Sequence, residues 1–127
     1  ETEQKSAPEQ KKKNEPAYPA EISIDDFAKV KMQIAEVIAC EKVEKSDKLL
    51  KSTVKIGAET RTVVSGIAKF YTPEEMIGKK VVMITNLKPA KLRGIVSEGM
   101  ILCAENERGE LRLLAPEKDI EDGSGIF

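Results

Sequence analysis

Lys88, Lys91 and Arg93 fall within the eight residues from Asn86 to Arg93, and no acid interrupts them. Around this stretch the charge is mixed in sign. Pro89 lacks a backbone donor and Gly94 admits conformations closed to other residues, so the segment reads as a shaped loop and not a helix face. A loop that crowds cations beside unusual backbone suits the phosphates of a nucleic acid, and Arg93 can grip one in a bidentate fashion. The same spacing also describes a solvated edge with three exposed charges, and spacing leaves both readings open.

Other chemistries lack their residues. There is no histidine in the 127 residues, so the commonest general base is missing. No Gly-x-x-x-x-Gly-Lys-Ser/Thr phosphate loop occurs. Ser65 and Ser97 do not sit in a Gly-x-Ser-x-Gly elbow. Cys40 and Cys103 lie in apolar, strand-like settings and read as buried reduced thiols. Without a CxxC pair or a histidine they offer too few ligands for zinc. We therefore expect no catalysis by this chain alone and no cofactor. No apolar run is long enough to span a membrane and no signal-peptide pattern is present, so the expected location is the cytoplasm.

The loop must be held by the elements around it. It follows a strand-like run, Lys80 to Thr85, and precedes another from Met100 to Ala104. Upstream, Val30 to Val43 has apolar residues of both parities, the pattern of a long strand with a bulge. Leu50, Ser52, Val54 and Ile56 alternate as in a half-buried strand. Gly57-Ala58-Glu59 turns the chain into the β-branched run Thr60 to Ser65, which makes a hairpin. Thr72-Pro73-Glu74-Glu75 is a capping box with Pro at the first helical position, and Gly78 can end that helix. Ser23 with Asp26 can cap a further short turn. Asn106 to Gly109 reads as a hairpin turn into Leu111 to Leu114. Short strands with regularly spaced turns point to a small all-β barrel. Phe27 and Phe70 are expected in its core.

Five stretches together resemble one family in the right order. The loop Asn86 to Met100 is similar to the signature of a tRNA-binding module found at the C-terminus of many bacterial methionyl-tRNA synthetases. Asp26-Phe27-Ala28-Lys29-Val30 resembles that family's opening strand and Asp47-Lys48-Leu49-Leu50 its next landmark. Arg61 to Ile67 and Tyr71 to Glu75 resemble the middle of its pattern. The resemblance covers Ile24 to the end of the chain. It implies a five-stranded OB-fold Greek-key barrel with one short helix and a C-terminal β extension. It also implies binding of folded tRNA outside the anticodon, with little sequence preference, and homodimerisation through the C-terminal segment. The sequence departs from the family at Gln33, where many members carry Arg, at Ala35, where Gly is usual, and at Glu44-Lys45-Ser46, where many carry His-Pro.

On this footing Lys88, Lys91 and Arg93 are expected to meet phosphates. Asn86 is expected to bond a ribose or base edge, or else to hold its own loop. Lys29, Lys31, Arg61, Ser65, Ser97 and Met100 complete the expected tRNA-binding set. Lys29 and Lys31 also suit a strand edge that resists aggregation, and Met100 also suits the core. Aromatic residues make up only 4% of the chain. That favours recognition by shape, phosphate and 2′-OH contacts over base stacking.

The net charge of -1 is low for a nucleic-acid binder. It is unevenly spread, with nine Lys/Arg against seven Asp/Glu from Asp25 to Phe70 and an acidic region from Glu98 onward. Residues 1–21, rich in Glu, Gln, Lys, Pro and Ala, read as a flexible linker ahead of a 22–127 domain. The linker and the start at Glu1 lead us to expect a piece of a longer synthetase, with its catalytic body in cis. Dimerisation as the main role, and a free-standing chaperone-like relative, are the competing readings.

Overall fold

The computed structural model describes residues 19–127. Most of the linker expected over 1–21, with its Lys11-Lys12-Lys13 run, lies outside the described residues. Two four-residue helices form where one was expected. In the first, α1 (Ile24–Phe27), the Asp26 amide donates to the Ser23 hydroxyl at 3.1 Å. That local cap is the reason the expected turn closes into a helix. In the second, α2 (Pro73–Met76), Thr72 and Glu75 complete the capping box reciprocally.

The strands are β1 (Met32–Lys42), β2 (Leu50–Ile56), β3 (Glu59–Ser65), β4 (Lys80–Ile84), β5 (Ala90–Leu92), β6 (Ile95–Ser97), β7 (Met100–Ile101), β8 (Cys103–Glu105), β9 (Leu111–Leu113) and β10 (Gly125–Ile126). The main sheet runs β3-β2-β1-β4-β7 with antiparallel neighbours, and β10 adds to β1. β1 serves three partners because it is long and bends. Its register against β2 shifts between Val37 and Ala39, which is the bulge expected from the mixed parity. The first strand begins at Met32, two residues later than expected. The expected strand from Met100 to Ala104 is split at Leu102, whose backbone bonds both Val82 and Leu114.

The sheet curls until β3 meets the stretch just before β7. The Glu98 amide donates to the Thr62 carbonyl at 2.8 Å, and the Thr62 amide donates back to Glu98 Oε1 at 3.0 Å. This closes an OB-type barrel. Leu50, Val54, Val63, Val81, Met83 and the α2 residue Met76 fill its interior without exposure. Each such side chain contributes roughly 1.5–3 kcal/mol through burial. Phe27 and Phe70, expected inside, are 40% and 42% exposed. The aliphatic residues of alternating strands fill the small lumen, and neither ring belongs to that cluster.

The C-terminal extension straps the barrel. β8 and β9 form the expected hairpin, and Asn106 Oδ1 accepts from the Arg108 and Glu110 amides in its turn. Asp122 accepts from the Gly57 amide and pairs with Lys55 at 3.1 Å, so the tail is fastened to the β2–β3 turn. Lys80 bonds Asp119 at 3.0 Å and the Ile120 carbonyl at 2.6 Å.

Candidate nucleic-acid interface

The cationic loop contains a hairpin. β5 and β6 pair with Lys91 opposite Val96 and Leu92 opposite Ile95. Arg93 and Gly94 form the turn with φ of 52° and 80°. Two consecutive positive φ values match the twist of a tight hairpin, so Gly94 is needed and Arg93 is held at the tip in a left-handed conformation. Lys88, Lys91 and Arg93 are all exposed. Among the described residues the ion-paired cations are Lys29, Lys51, Lys55, Arg61, Lys80 and Arg108, so the three hairpin cations enter no such pair. Leu87, Leu92, Val96 and Met100 stand exposed beside them, between 40% and 49%.

Both feet of the hairpin are fixed to the barrel. At the first foot the Asn86 side chain donates to the Lys29 carbonyl at 2.7 Å and accepts from the Lys31 amide at 2.9 Å. It stands in for a strand partner, as the loop-holding alternative anticipated. The same bonds bring the exposed Lys29 and Lys31 beside the hairpin, where Lys29 also pairs with Asp26 at 3.4 Å. Both lysines lie before β1 and not within it. At the second foot Ser97, 5% exposed, accepts from the Val64 amide at 3.0 Å and donates to the Gly99 carbonyl at 3.3 Å. Its hydroxyl serves the barrel closure and not the surface.

Arg61 lies between the two feet. Its Nη1 donates to the Thr85 carbonyl at 2.6 Å and to the Glu98 carbonyl at 3.2 Å, and its Nε donates to Glu59 at 2.7 Å. That bond to Arg61 is the main reason the Glu59 carboxyl sits below the usual carboxylate range. Ser65 stands apart at the far end of β3, about 13 Å along the strand from Arg61 at ~3.3 Å per residue. Its hydroxyl oxygen is buried without a hydrogen-bond partner among the described residues. Met100 begins β7 beside Ile84 and is 44% exposed, so it lies on the surface and not in the core.

Three residues absent from the expected set belong to this framework. Glu98 binds both Thr62 backbone groups. Thr85 donates to Gln33 Oε1 at 2.8 Å, and Gln33 donates to the Gly123 carbonyl at 3.0 Å. The Gln33 amide thus bonds within the protein, to Thr85 and Gly123. The signal in the sequence was the Ala-Lys-Leu-Arg-Gly-Ile-Val-Ser alternation around one Gly, which marks a hairpin whose two feet need anchors.

The cysteines are free. Burial pushes the Cys103 thiol up to about 11. Among the described residues no cluster of His, Cys, Asp or Glu could hold a metal ion, and no helix is long and apolar enough to cross a membrane.

Residues 32–125 match the family described as "Putative tRNA binding domain". The methionine–tRNA ligase of Deinococcus radiodurans is 61% identical over 118 residues, which cover 90% of this chain and 17% of the ligase. Methionine–tRNA ligase 1 of Bacillus anthracis is 54% identical over 123 residues, 95% of this chain and 18% of the ligase. The chain therefore spans less than a fifth of the length of these relatives. Among solved structures, a MetRS related protein from Pyrococcus horikoshii superposes with a TM-score of 0.81 at 37% identity, covering 86% of this chain and all of that one. The chaperone CsaA from Bacillus anthracis superposes with a TM-score of 0.78 at 26% identity, covering 85% and 100%. The closed barrel, its anchored cationic hairpin and these matches agree, and the chain belongs to the tRNA-binding domain family.

Proposed function

We propose that this chain is a non-catalytic module of a cytoplasmic methionine–tRNA ligase that holds folded tRNA by its backbone and shape. The observation that carries the reading is the β5–β6 hairpin, with Lys88, Lys91 and Arg93 exposed and both feet bonded into the barrel. Lys29 and Lys31 extend the same positive surface. Leu92, Val96 and Met100 supply apolar contact to riboses and base faces. Asn86, Arg61 and Ser97 act from beneath, by fixing where the cations stand. Aromatic rings are absent from the hairpin, which fits recognition of a folded RNA and not stacking along a single strand. Tethering to a catalytic body would make even weak affinity useful, because binding becomes intramolecular.

The test is tRNA binding by the Lys88→Ala, Arg93→Ala double variant over a salt series. Each lost phosphate contact removes ~0.7–0.9 from the slope of log affinity against log salt, so the slope falls by up to about 2, alike for all tRNAs. An unchanged affinity and slope would sink the hairpin contact.

A second reading, dimerisation, is favoured by one observation. Ile24 and Phe27 of α1 are 77% and 40% exposed, and Val30 just after them, 40% exposed, lines a groove with Ile126 and Phe127 of the C-terminal segment. Such clustered apolar surface suits an isologous contact with a second copy. Mass in solution of the Phe27→Asp variant tests it: a dimer that becomes a monomer supports this reading, and an unchanged mass contradicts it.

A further inference from the structure

The geometry points to Arg61 as a positioning residue of the hairpin, one that acts through its two feet and not by touching RNA. This inference rests on the proposed role of the hairpin. Arg61, on the third strand, stands in the expected contact set. Nη1 and Nε are instead already committed to the protein. One nitrogen, Nη1, bonds the Thr85 carbonyl just before the loop and the Glu98 carbonyl just after it. Nε is held by Glu59, which fixes the plane of the guanidinium. The side chain is 22% exposed, against 79% for Lys29. Thr85 and Glu98 are thirteen residues apart in sequence, and both carbonyls converge on one nitrogen.

The rest of the framework converges on the same feet. Thr85 is also held by Gln33 and, through its amide, by the Lys31 carbonyl at 2.9 Å. Glu98 is held by both backbone groups of Thr62, the residue after Arg61. The hairpin's other supports are the Asn86 and Ser97 bonds and the approach of β6 to β3. All three residues of β5 are exposed, and β5 pairs only with β6. The direction in which Lys91 and Arg93 point therefore depends on the spacing of the feet. A guanidinium fork is suited to this because it is planar and presents several fixed donors.

Two variants and two readouts test the assignment. Amide hydrogen exchange is measured in the RNA-free protein for wild type, Arg61→Ala and Arg61→Lys, and tRNA affinity is then measured against salt. Loss of charge-assisted bonds at the feet is expected to speed exchange of the amides from Asn86 to Gly99 about 10- to 100-fold in Arg61→Ala. Exchange in β1, β2 and β4 is expected to stay near wild type. Arg61→Lys keeps the charge without the fork and is expected to exchange like the alanine variant and to bind tRNA more weakly than wild type. The inference is overturned if hairpin exchange is unchanged while Arg61→Ala lowers the salt slope by ~0.7–0.9 and Arg61→Lys restores it, the behaviour of a phosphate contact. A uniform rise in exchange across the barrel also overturns it, because Arg61 would then be a general stability residue. The exchange readout needs no RNA. If wild type itself fails to bind tRNA, the proposed function falls while the assignment of Arg61 to the feet is still decided.

Discussion

Gly99 directly follows Glu98 at the second foot of the hairpin, where the backbone is tightly packed. Its φ is +154°, and a Cβ placed there would enter the van der Waals shell of Met83 Cε and lie 3.0 Å from the Ile84 carbonyl oxygen. Met83 is fully buried, so its terminal methyl has little free space to enter. Overpacking of this kind costs about 1–3 kcal/mol. A side chain in that backbone region costs about 1–3 kcal/mol more, and partial relaxation relieves both, so Gly99→Ala is expected to destabilise by about 2–4 kcal/mol. That is a large share of the 5–15 kcal/mol typical of a domain. Urea denaturation of wild type, Gly99→Ala, Met83→Leu and the double variant measures it. Met83→Leu removes the Cε atom at similar volume, so the double variant should recover about 1 kcal/mol relative to additivity. Because Gly99 follows the Glu98 foot directly, the strained protein should also bind tRNA more weakly. A loss below about 0.5 kcal/mol, or strict additivity with Met83→Leu, would refute the close-approach reasoning.

Two further outcomes follow from the strap and the barrel. The Gly57 amide, and then Lys55, hold the Asp122 carboxyl below its ordinary value of 3.8. A lowered carboxyl stabilises the fold above its unfolded pKa and loses that contribution as pH falls through the folded one. Wild type should therefore lose stability below about pH 4 more steeply than Asp122→Asn, as read by denaturation midpoints between pH 2 and 6; parallel curves would contradict this. Tyr71→Phe removes the hydroxyl that accepts from the Leu113 amide at 3.0 Å. It should cost about 1 kcal/mol and speed exchange of that amide, while the ring keeps its place under Lys79.

What was legible in the sequence was local. The Thr72 capping box, the Gly57 turn between β2 and β3 and the bulge in β1 each depend on neighbours a few residues apart, and each forms as read. The exposed cations of the loop were also legible, because Pro89 and Gly94 punctuate them. The roles of Asn86, Arg61 and Ser97 were not fixed by such signals. Apart from Glu59 and Gly99, their partners lie 24 to 57 residues away, and only the tertiary fold brings them together. A cation near a basic loop and a cation bonded beneath it are the same letter in a sequence. Phe27 and Phe70 mislead for a related reason. Their apolar character favours burial, but the lumen is already filled by Leu50, Val54, Met76 and Met83.

Whether the hairpin reads folded tRNA is decided by competition for wild-type protein between folded tRNA and an unstructured RNA of equal length, across a salt series. Folded tRNA should win, and its affinity should fall steadily as salt rises. Equal competition by the unstructured strand, or binding that ignores salt, would contradict a hairpin that reads the backbone and shape of tRNA.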